Sequence, residues 1–252
     1  MTLNWFKFAS PATFYPLAGR LTRPFWILTG VLLVIGLYWG FFQTADQLGG
    51  SNPQKEYYRI IFIHVPAAWM SMWLYIVLVF WAAIGLVFNT RLSFMMANAV
   101  APTGAVFTFL ALWTGAFWGR PSWGTYWDWD PRLTSELVLF FLYIGYIALH
   151  SAIDDTRRAD RASALLAIVG LVMVPVIYWS INCPDPTQCA ALHQRSGLGK
   201  IDSNILFSML TMTLAFWMYS FATSFMRLRS IILTREAEAS WVQELLNREQ
   251  VR

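Results

Sequence analysis

Charged side chains are scarce in this chain: Asp, Glu, Lys and Arg together make up only 13% of its 252 residues. An average soluble domain contains about 25%. Hydrophobic residues make up 57% and aromatic residues 17%, and a soluble domain of this length has too little interior to bury so much apolar surface. The composition excludes a soluble globular protein and predicts an integral membrane protein.

Signatures of hydrolytic enzymes and of nucleic-acid binding are also missing. The sequence has no glycine-rich phosphate-binding loop and no credible pair of nucleophile and base. The net charge is +4, but the basic residues are scattered between hydrophobic segments and form no patch interleaved with aromatics. We expect neither an enzyme nor a nucleic-acid partner.

Apolar runs of about 20 residues, the length that crosses a bilayer, occur six times. They cover approximately residues 25–42, 66–88, 96–117, 133–152, 164–181 and 205–226. If both termini lie on one side, the connecting segments of that side hold twelve Lys and Arg residues and those of the other side six. The positive-inside rule then predicts a single all-α domain with six transmembrane helices, cytoplasmic termini and short external loops. In a bacterium this is the inner membrane, with the loops in the periplasm.

Local signals predict several helix ends. Asp130 is a suitable helix N-cap, and the proline that follows it is a suitable first helical residue. Pro66 fits the first turn of the second span. Pro102 and Pro175 lie inside the third and fifth spans, and we expect them to kink both helices. Residues 237–251 are helix-prone with apolar side chains on one face, which predicts an amphipathic helix at the cytoplasmic surface or against a partner.

The second external segment, residues 118–132, is rich in aromatic side chains, and the loops on either side of it each contribute a histidine, His64 and His193. The third histidine, His150, ends the fourth span on the cytoplasmic side. The aromatic residues of the segment are Trp118, Trp123, Tyr126, Trp127 and Trp129. They could instead form an interfacial belt, and each external histidine could simply be a hydrogen-bonded residue.

Haem matches this combination of residue types. Imidazole is an axial ligand of haem iron, and a flat porphyrin requires apolar walls on which to stack. Arg59, Arg120 or Arg132 could pair with the haem propionates. The residues alone therefore indicate a membrane protein with an external aromatic site and two candidate iron ligands.

Three further polar residues carry open alternatives. Glu136, one turn into the fourth span, could pair with Arg132 four residues earlier or help to shape the external site. Cys183 and Cys189, the only cysteines, could form a disulfide in the third external loop. They could also join His64 and His193 in a zinc site, although their spacing is loose for zinc.

The run from Trp123 to Asp130 resembles the tryptophan-rich "WWD" signature of bacterial haem-handling membrane proteins. The continuation from Pro131 to Leu137 is similar to the CcmC branch of that family, which serves System I cytochrome c maturation. Residues 58–66 and 191–194 are similar to the same branch, and the resemblance extends over all six spans. Tyr126 stands where the signature commonly has Trp, and the two cysteines are not part of the pattern.

The resemblance implies a non-enzymatic function at the periplasmic surface. Haem b would lie on Trp123, Trp127 and Trp129, with Asp130 closing the motif, and the family assigns the axial positions to the two external histidines. The haem would pass to the periplasmic chaperone CcmE, with the CcmA/CcmB ATPase complex and the small membrane protein CcmD as partners. Two other functions stay open: a transmembrane haem transporter and a bis-histidine electron-transfer subunit of the cytochrome b kind.

Overall fold

The computed structural model describes residues 10–44, 55–182 and 201–250, and these residues are almost entirely helical, with no strand among them. A short 3-10 turn, Lys55–Ile60, precedes the second helix. The helices are α1 (Pro11–Phe42), α2 (Ile61–Phe88), α3 (Arg91–Trp123), α4 (Pro131–Ala152), α5 (Thr156–Gly170), α6 (Met173–Asn182), α7 (Ser203–Arg235) and α8 (Ser240–Gln250).

Six helical segments in the described part of the chain are long and apolar enough to cross a membrane, with α5 and α6 together forming the fifth. The predicted all-α fold with six candidate spans is therefore confirmed. In the most apolar stretch of α1 only 17% of the residues are buried inside the protein. Large apolar side chains such as Val34 and Phe42 are exposed there, as is expected of a helix whose outer face meets lipid.

The helices pack in two main pairs, α1 against α7 and α2 against α3, while α4 lies against α3, α5 and α6. Small residues allow the close approaches, as is usual when helices associate in a membrane. Ser208 donates a hydrogen bond to the Gly36 backbone oxygen at 2.7 Å, and Tyr143 fills the space over Gly104. Tyr143 is fully buried and forms the centre of the core together with Tyr75 and Leu139.

Several helices extend beyond the predicted membrane spans. Helix α1 begins at Pro11, not near residue 25, and includes Pro16 and Pro24. Helix α2 begins at Ile61, so Pro66 lies in its second turn and not in its first. Hydropathy marks the part of a helix that suits the bilayer core, whereas the helix itself continues for as long as backbone hydrogen bonding allows.

The two prolines for which the sequence predicts a kink, Pro102 and Pro175, lie in different surroundings. Pro102 lies within the uninterrupted helix α3. Pro175 follows the break between α5 and α6, where Leu171 and Val172 form a turn that belongs to neither helix. Proline has no N–H to donate to the carbonyl four residues earlier, which here belongs to Leu171. That carbonyl accepts the Val174 backbone N–H at 3.1 Å instead, so the predicted irregularity occurs at Pro175 as a break in the helix.

The bundle has two chemically different ends. At one end, called the His64 end, the start of α2, the end of α3 and the start of α4 meet. At the other, called the His150 end, Asp160 accepts two 2.8 Å hydrogen bonds from Arg235 and lies 3.0 Å from His150 Nε2. Helix α8 lies there too, and its Trp241 ring packs 5.9 Å from the ring of Tyr15. The structure thus separates His150 from His64, as the sequence predicted.

Candidate functional site

His64 lies in the first turn of α2, within the helix and not in the preceding loop as the sequence suggested. Its side chain is buried, with 7% exposure. The Nδ1 atom is 3.0 Å from the hydroxyl oxygen of Thr114 on α3, and the Trp118 ring stands edge-on to the imidazole with the two centroids 5.8 Å apart. The structure therefore places this candidate ligand directly beside the first aromatic residue of the segment 118–132.

The hydrogen bonds of Thr114 determine which ring nitrogen of His64 carries the proton. The Thr114 hydroxyl has one proton, and its oxygen is 2.6 Å from the Leu110 backbone oxygen, which can only accept. The hydroxyl therefore donates to Leu110, and His64 Nδ1–H donates to the hydroxyl oxygen. In the neutral imidazole this leaves Nε2 as the nitrogen with the lone pair, which is the arrangement that metal-binding histidines adopt.

Helix α3 continues through the first part of the aromatic segment, so residues 118–123 are helical and do not form a loop as predicted. The Trp123 ring lies on Gly119, where an added Cβ atom would come within 2.8 Å of it. Gly124 ends the helix with a φ of 89°, and its N–H donates to the Arg120 backbone oxygen at 3.1 Å. This left-handed conformation favours glycine, which explains the glycine within the aromatic run.

Residues 124–130 connect α3 to α4, and their aromatic rings are placed in two ways. The Trp127 ring is half-buried and packs edge-on against Trp129, with the centroids 5.5 Å apart. Tyr126 and Trp129 are 55% and 73% exposed. Thr125 stabilises the turn, since its hydroxyl donates to the Trp127 backbone oxygen at 3.0 Å. The segment thus combines rings that pack against the protein with rings that face outward.

Two indole N–H groups at the His64 end have no hydrogen-bond acceptor among the described protein atoms. Trp123 Nε1 and Trp127 Nε1 are both buried, and neither has a hydrogen-bond partner among the described residues. Buried donors without a partner are uncommon and usually mark a place where water, an ion or a ligand completes the bonding. Carboxylates are strong acceptors for such donors.

Three ionisable residues are buried at the start of α4. Asp130 is the N-cap of α4 and accepts the Leu133 backbone N–H at 2.7 Å, as predicted from its position before proline. Arg132 donates to the Ile177 backbone oxygen on α6 at 3.2 Å. Glu136 is hydrogen-bonded to Ser71 on α2 at 2.6 Å. Arg132 and Glu136 interact electrostatically, as the predicted pairing implies. Each nevertheless makes its hydrogen bond to a neighbouring helix.

The remaining predicted residues are placed in part. The Arg59 guanidinium lies over the rings of Phe41 and Tyr58, at 5.7 and 6.0 Å. The Arg120 guanidinium lies 5.7 Å from the Tyr126 ring centroid and donates to the Gly124 backbone oxygen. His193, Cys183 and Cys189 lie outside the described residues, so their ligand, disulfide and zinc roles stay predictions. Among the residues that the structure does describe, no group of three His, Cys, Asp or Glu side chains could hold a metal ion.

The chain is similar to proteins of one family along almost its whole length. The family model described as "CcmC: Heme exporter protein C" matches residues 4–243. Heme exporter protein C of Escherichia coli K12 is 41% identical over 243 residues, 95% of each chain. The protein of that name from Bradyrhizobium diazoefficiens is 39% identical over 231 residues, 92% of this chain and 86% of the relative. That of Paracoccus denitrificans is 34% identical over 249 residues, 98% and 99% of the two chains.

This chain belongs to the Heme exporter protein C family. In this member of the Heme exporter protein C family, sequence reasoning found the aromatic segment and His64 but missed Thr114 and Ser71. A hydroxyl inside an apolar helix most often bonds back to its own helix, so neither residue attracts notice alone. The only available signal was position, because Ser71 follows His64 at a spacing of seven residues and so shares its helix face.

Proposed function

We propose that this protein binds haem b at the His64 end and passes it to the periplasmic chaperone CcmE during cytochrome c maturation. The single observation that carries the proposal is the hydrogen bond from His64 to Thr114, which leaves Nε2 as the lone-pair nitrogen beside Trp118. The relatives are named for heme export. No step of this function calls for an enzymatic site.

The residues at the His64 end fit the chemistry of haem. His64 would supply one axial nitrogen and His193 the other, and the rings of the segment would form the apolar walls. The buried N–H groups of Trp123 and Trp127 suit the oxygen atoms of propionate groups. Arg59 is proposed as a propionate contact, because it lies in the 3-10 turn that directly precedes the helix of His64.

Arg132 and Asp130 have supporting roles in this proposal. Arg132 is 6% exposed and already donates to α6, so its charge would act on a propionate from within the protein and not as a surface contact. Asp130 caps α4 and so fixes where the aromatic segment ends. Tyr126 and Trp129, the most exposed rings of the segment, are proposed as the surface that the chaperone contacts.

The proposed assembly follows from this site and from the charge distribution. The excess of Lys and Arg on the side of the termini favours an inner-membrane orientation with the His64 end in the periplasm. The proposed partners are CcmE, the CcmA/CcmB ATPase complex and CcmD. An electron-transfer function fits less well, because the two described histidines lie at opposite ends of the bundle and cannot ligate one haem.

Purification of the full chain and three variants tests the proposal. The wild type should show a Soret band, and His64→Ala and His193→Ala should each weaken iron ligation. His150→Ala is the matched control, since it removes a histidine at the other end and should leave the spectrum unchanged. Wild-type spectra in both external variants would refute the bis-histidine site.

Transfer is tested separately by co-purification with the chaperone. Haem and CcmE should co-purify with the wild-type protein, and Trp127→Ala should abolish this co-purification. If CcmE is loaded with haem normally in cells that lack this protein, the transfer proposal is refuted, even if the purified protein binds haem. Stoichiometric zinc in place of iron would favour the cysteine–histidine site instead.

A further inference from the structure

Three ionisable side chains are buried together at the start of α4. Asp130, Arg132 and Glu136 are 5%, 6% and 4% exposed. Asp130 accepts a backbone N–H as the helix N-cap. An ionised carboxylate buried inside a membrane protein is costly unless its contacts compensate the charge, so the state of Glu136 depends on the groups that surround it.

The hydrogen bonds of Ser71 indicate how this cost is avoided. The Ser71 hydroxyl oxygen is 2.8 Å from the Ala68 backbone oxygen and 2.6 Å from Glu136 Oε1. The hydroxyl has one proton, and the backbone oxygen can only accept. If the hydroxyl donates to Ala68, the bond to Glu136 requires a proton on the carboxyl. A protonated Glu136 donating to Ser71 satisfies both contacts, whereas an ionised one leaves two acceptor oxygens facing each other.

The described groups around Glu136 include two tyrosines and one arginine. Tyr143, on its own helix, donates its hydroxyl proton to the Ser71 backbone oxygen at 2.8 Å. Tyr75 of α2 packs edge-on against Tyr143, with the ring centroids 5.0 Å apart. Arg132 is a charged neighbour among the residues that the structure describes, and its hydrogen bond there is to α6. Glu136 Oε2 is buried without a hydrogen-bond partner among the described residues.

We propose that Glu136 is a proton-binding site inside the helix bundle: its carboxyl holds a proton on Oε1 and donates it to Ser71 Oγ, joining α4 to α2. The ligand of this site is a proton, and its release would convert a neutral bridge into a buried carboxylate. The proposal rests on Glu136 of α4 and on Ser71, which lies seven residues after His64 on α2. It does not depend on iron ligation. It therefore stands or fails independently of the haem site.

Infrared spectroscopy of the purified full-length protein at neutral pH tests the protonation directly. The wild type should show the carbonyl stretch of a protonated carboxylic acid, and Glu136→Gln should lose that band. Glu236→Gln is the matched control, because Glu236 forms a 3.0 Å ion pair with Arg91 at the His150 end and should contribute no such band. Ser71→Ala should shift the band to higher frequency, since the carboxyl loses its acceptor.

Two results would overturn the proposal. If the wild-type band is absent, or is unaffected by Glu136→Gln, the carboxyl is ionised and Arg132 is its counter-ion. If the band appears only when sodium and potassium are removed, the site binds a monovalent cation and not a proton. Should Glu136→Gln fail to fold, the band shift in Ser71→Ala decides the question, and an unshifted band then counts against the proposal. Soret spectra of the same samples report on the haem site separately.

Discussion

Replacing Thr114 by valine removes the hydroxyl that accepts the Nδ1–H of His64 and keeps the branched shape of the side chain. The imidazole is 7% exposed, so water cannot easily replace the lost acceptor at 3.0 Å. An unsatisfied buried donor costs about 1–3 kcal/mol. Loss of the hydrogen-bond partner of a metal-ligating imidazole lowers metal affinity about 10–100-fold. This loss is similar in size to the cost of the unsatisfied donor, because a tenfold change corresponds to about 1.4 kcal/mol.

We therefore expect Thr114→Val to weaken haem binding by about 10–100-fold, measured by titrating the purified apoprotein with haem and following the Soret band. The midpoint potential of the bound haem should rise, because a hydrogen bond to Nδ1–H makes the imidazole more basic and so favours ferric iron. Thr114→Ser keeps the hydroxyl and is the matched control. It should bind haem as the wild type does.

A double-mutant cycle separates a positioning role from simple packing. In a His64→Ala background, Thr114→Val should cause no further loss of affinity, since the group through which it acts has gone. An equal loss in both backgrounds would show that Thr114 supports the fold and not the ligand. Wild-type affinity and potential in Thr114→Val would refute the tautomer assignment altogether.

Two further substitutions, at the end of α3 and at the His150 end of the bundle, are tested by thermal unfolding. Gly124→Ala should destabilise the protein by about 1–2 kcal/mol, because alanine is strained at a φ of 89°; Gly124→Asn should be milder, and an unchanged midpoint for alanine would contradict the assigned turn. Asp160→Asn should destabilise it by about 3–5 kcal/mol through loss of a buried partner of Arg235 while leaving haem affinity unchanged. A parallel loss of haem binding would mean that the two ends of the bundle are coupled.

The sequence predicted the spans well because hydropathy responds to the property that defines a span. It predicted helix ends poorly where they extend beyond the apolar run. Residues 118–123 were assigned to a loop for their aromatic and polar character, yet they complete α3, which ends only where Gly124 adopts a positive φ. Pro66 was placed at a helix start, but the helix begins five residues earlier.

The polar contacts between helices could not be predicted because they depend on how each helix is rotated about its axis. The sequence shows that Thr114 and Ser71 are hydroxyls in apolar helices, but not that they face His64 and Glu136. Arg132 shows the same limit. Its spacing from Glu136 predicts a local charge pair. The spacing does not predict that Arg132 donates its hydrogen bond to a backbone oxygen of α6.

The way in which the candidate site is anchored supports the proposed transfer of haem. His64 and Trp118 belong to long helices that pack against each other, so the ligand and its neighbouring ring are held by the bundle itself. Tyr126 and Trp129 lie on the seven-residue connection between α3 and α4 and are 55% and 73% exposed. Binding sites that retain small ligands usually bury about 70–90% of the ligand surface. In the proposed function, a haem bordered by these exposed rings would keep part of its edge accessible, which a chaperone needs in order to take it.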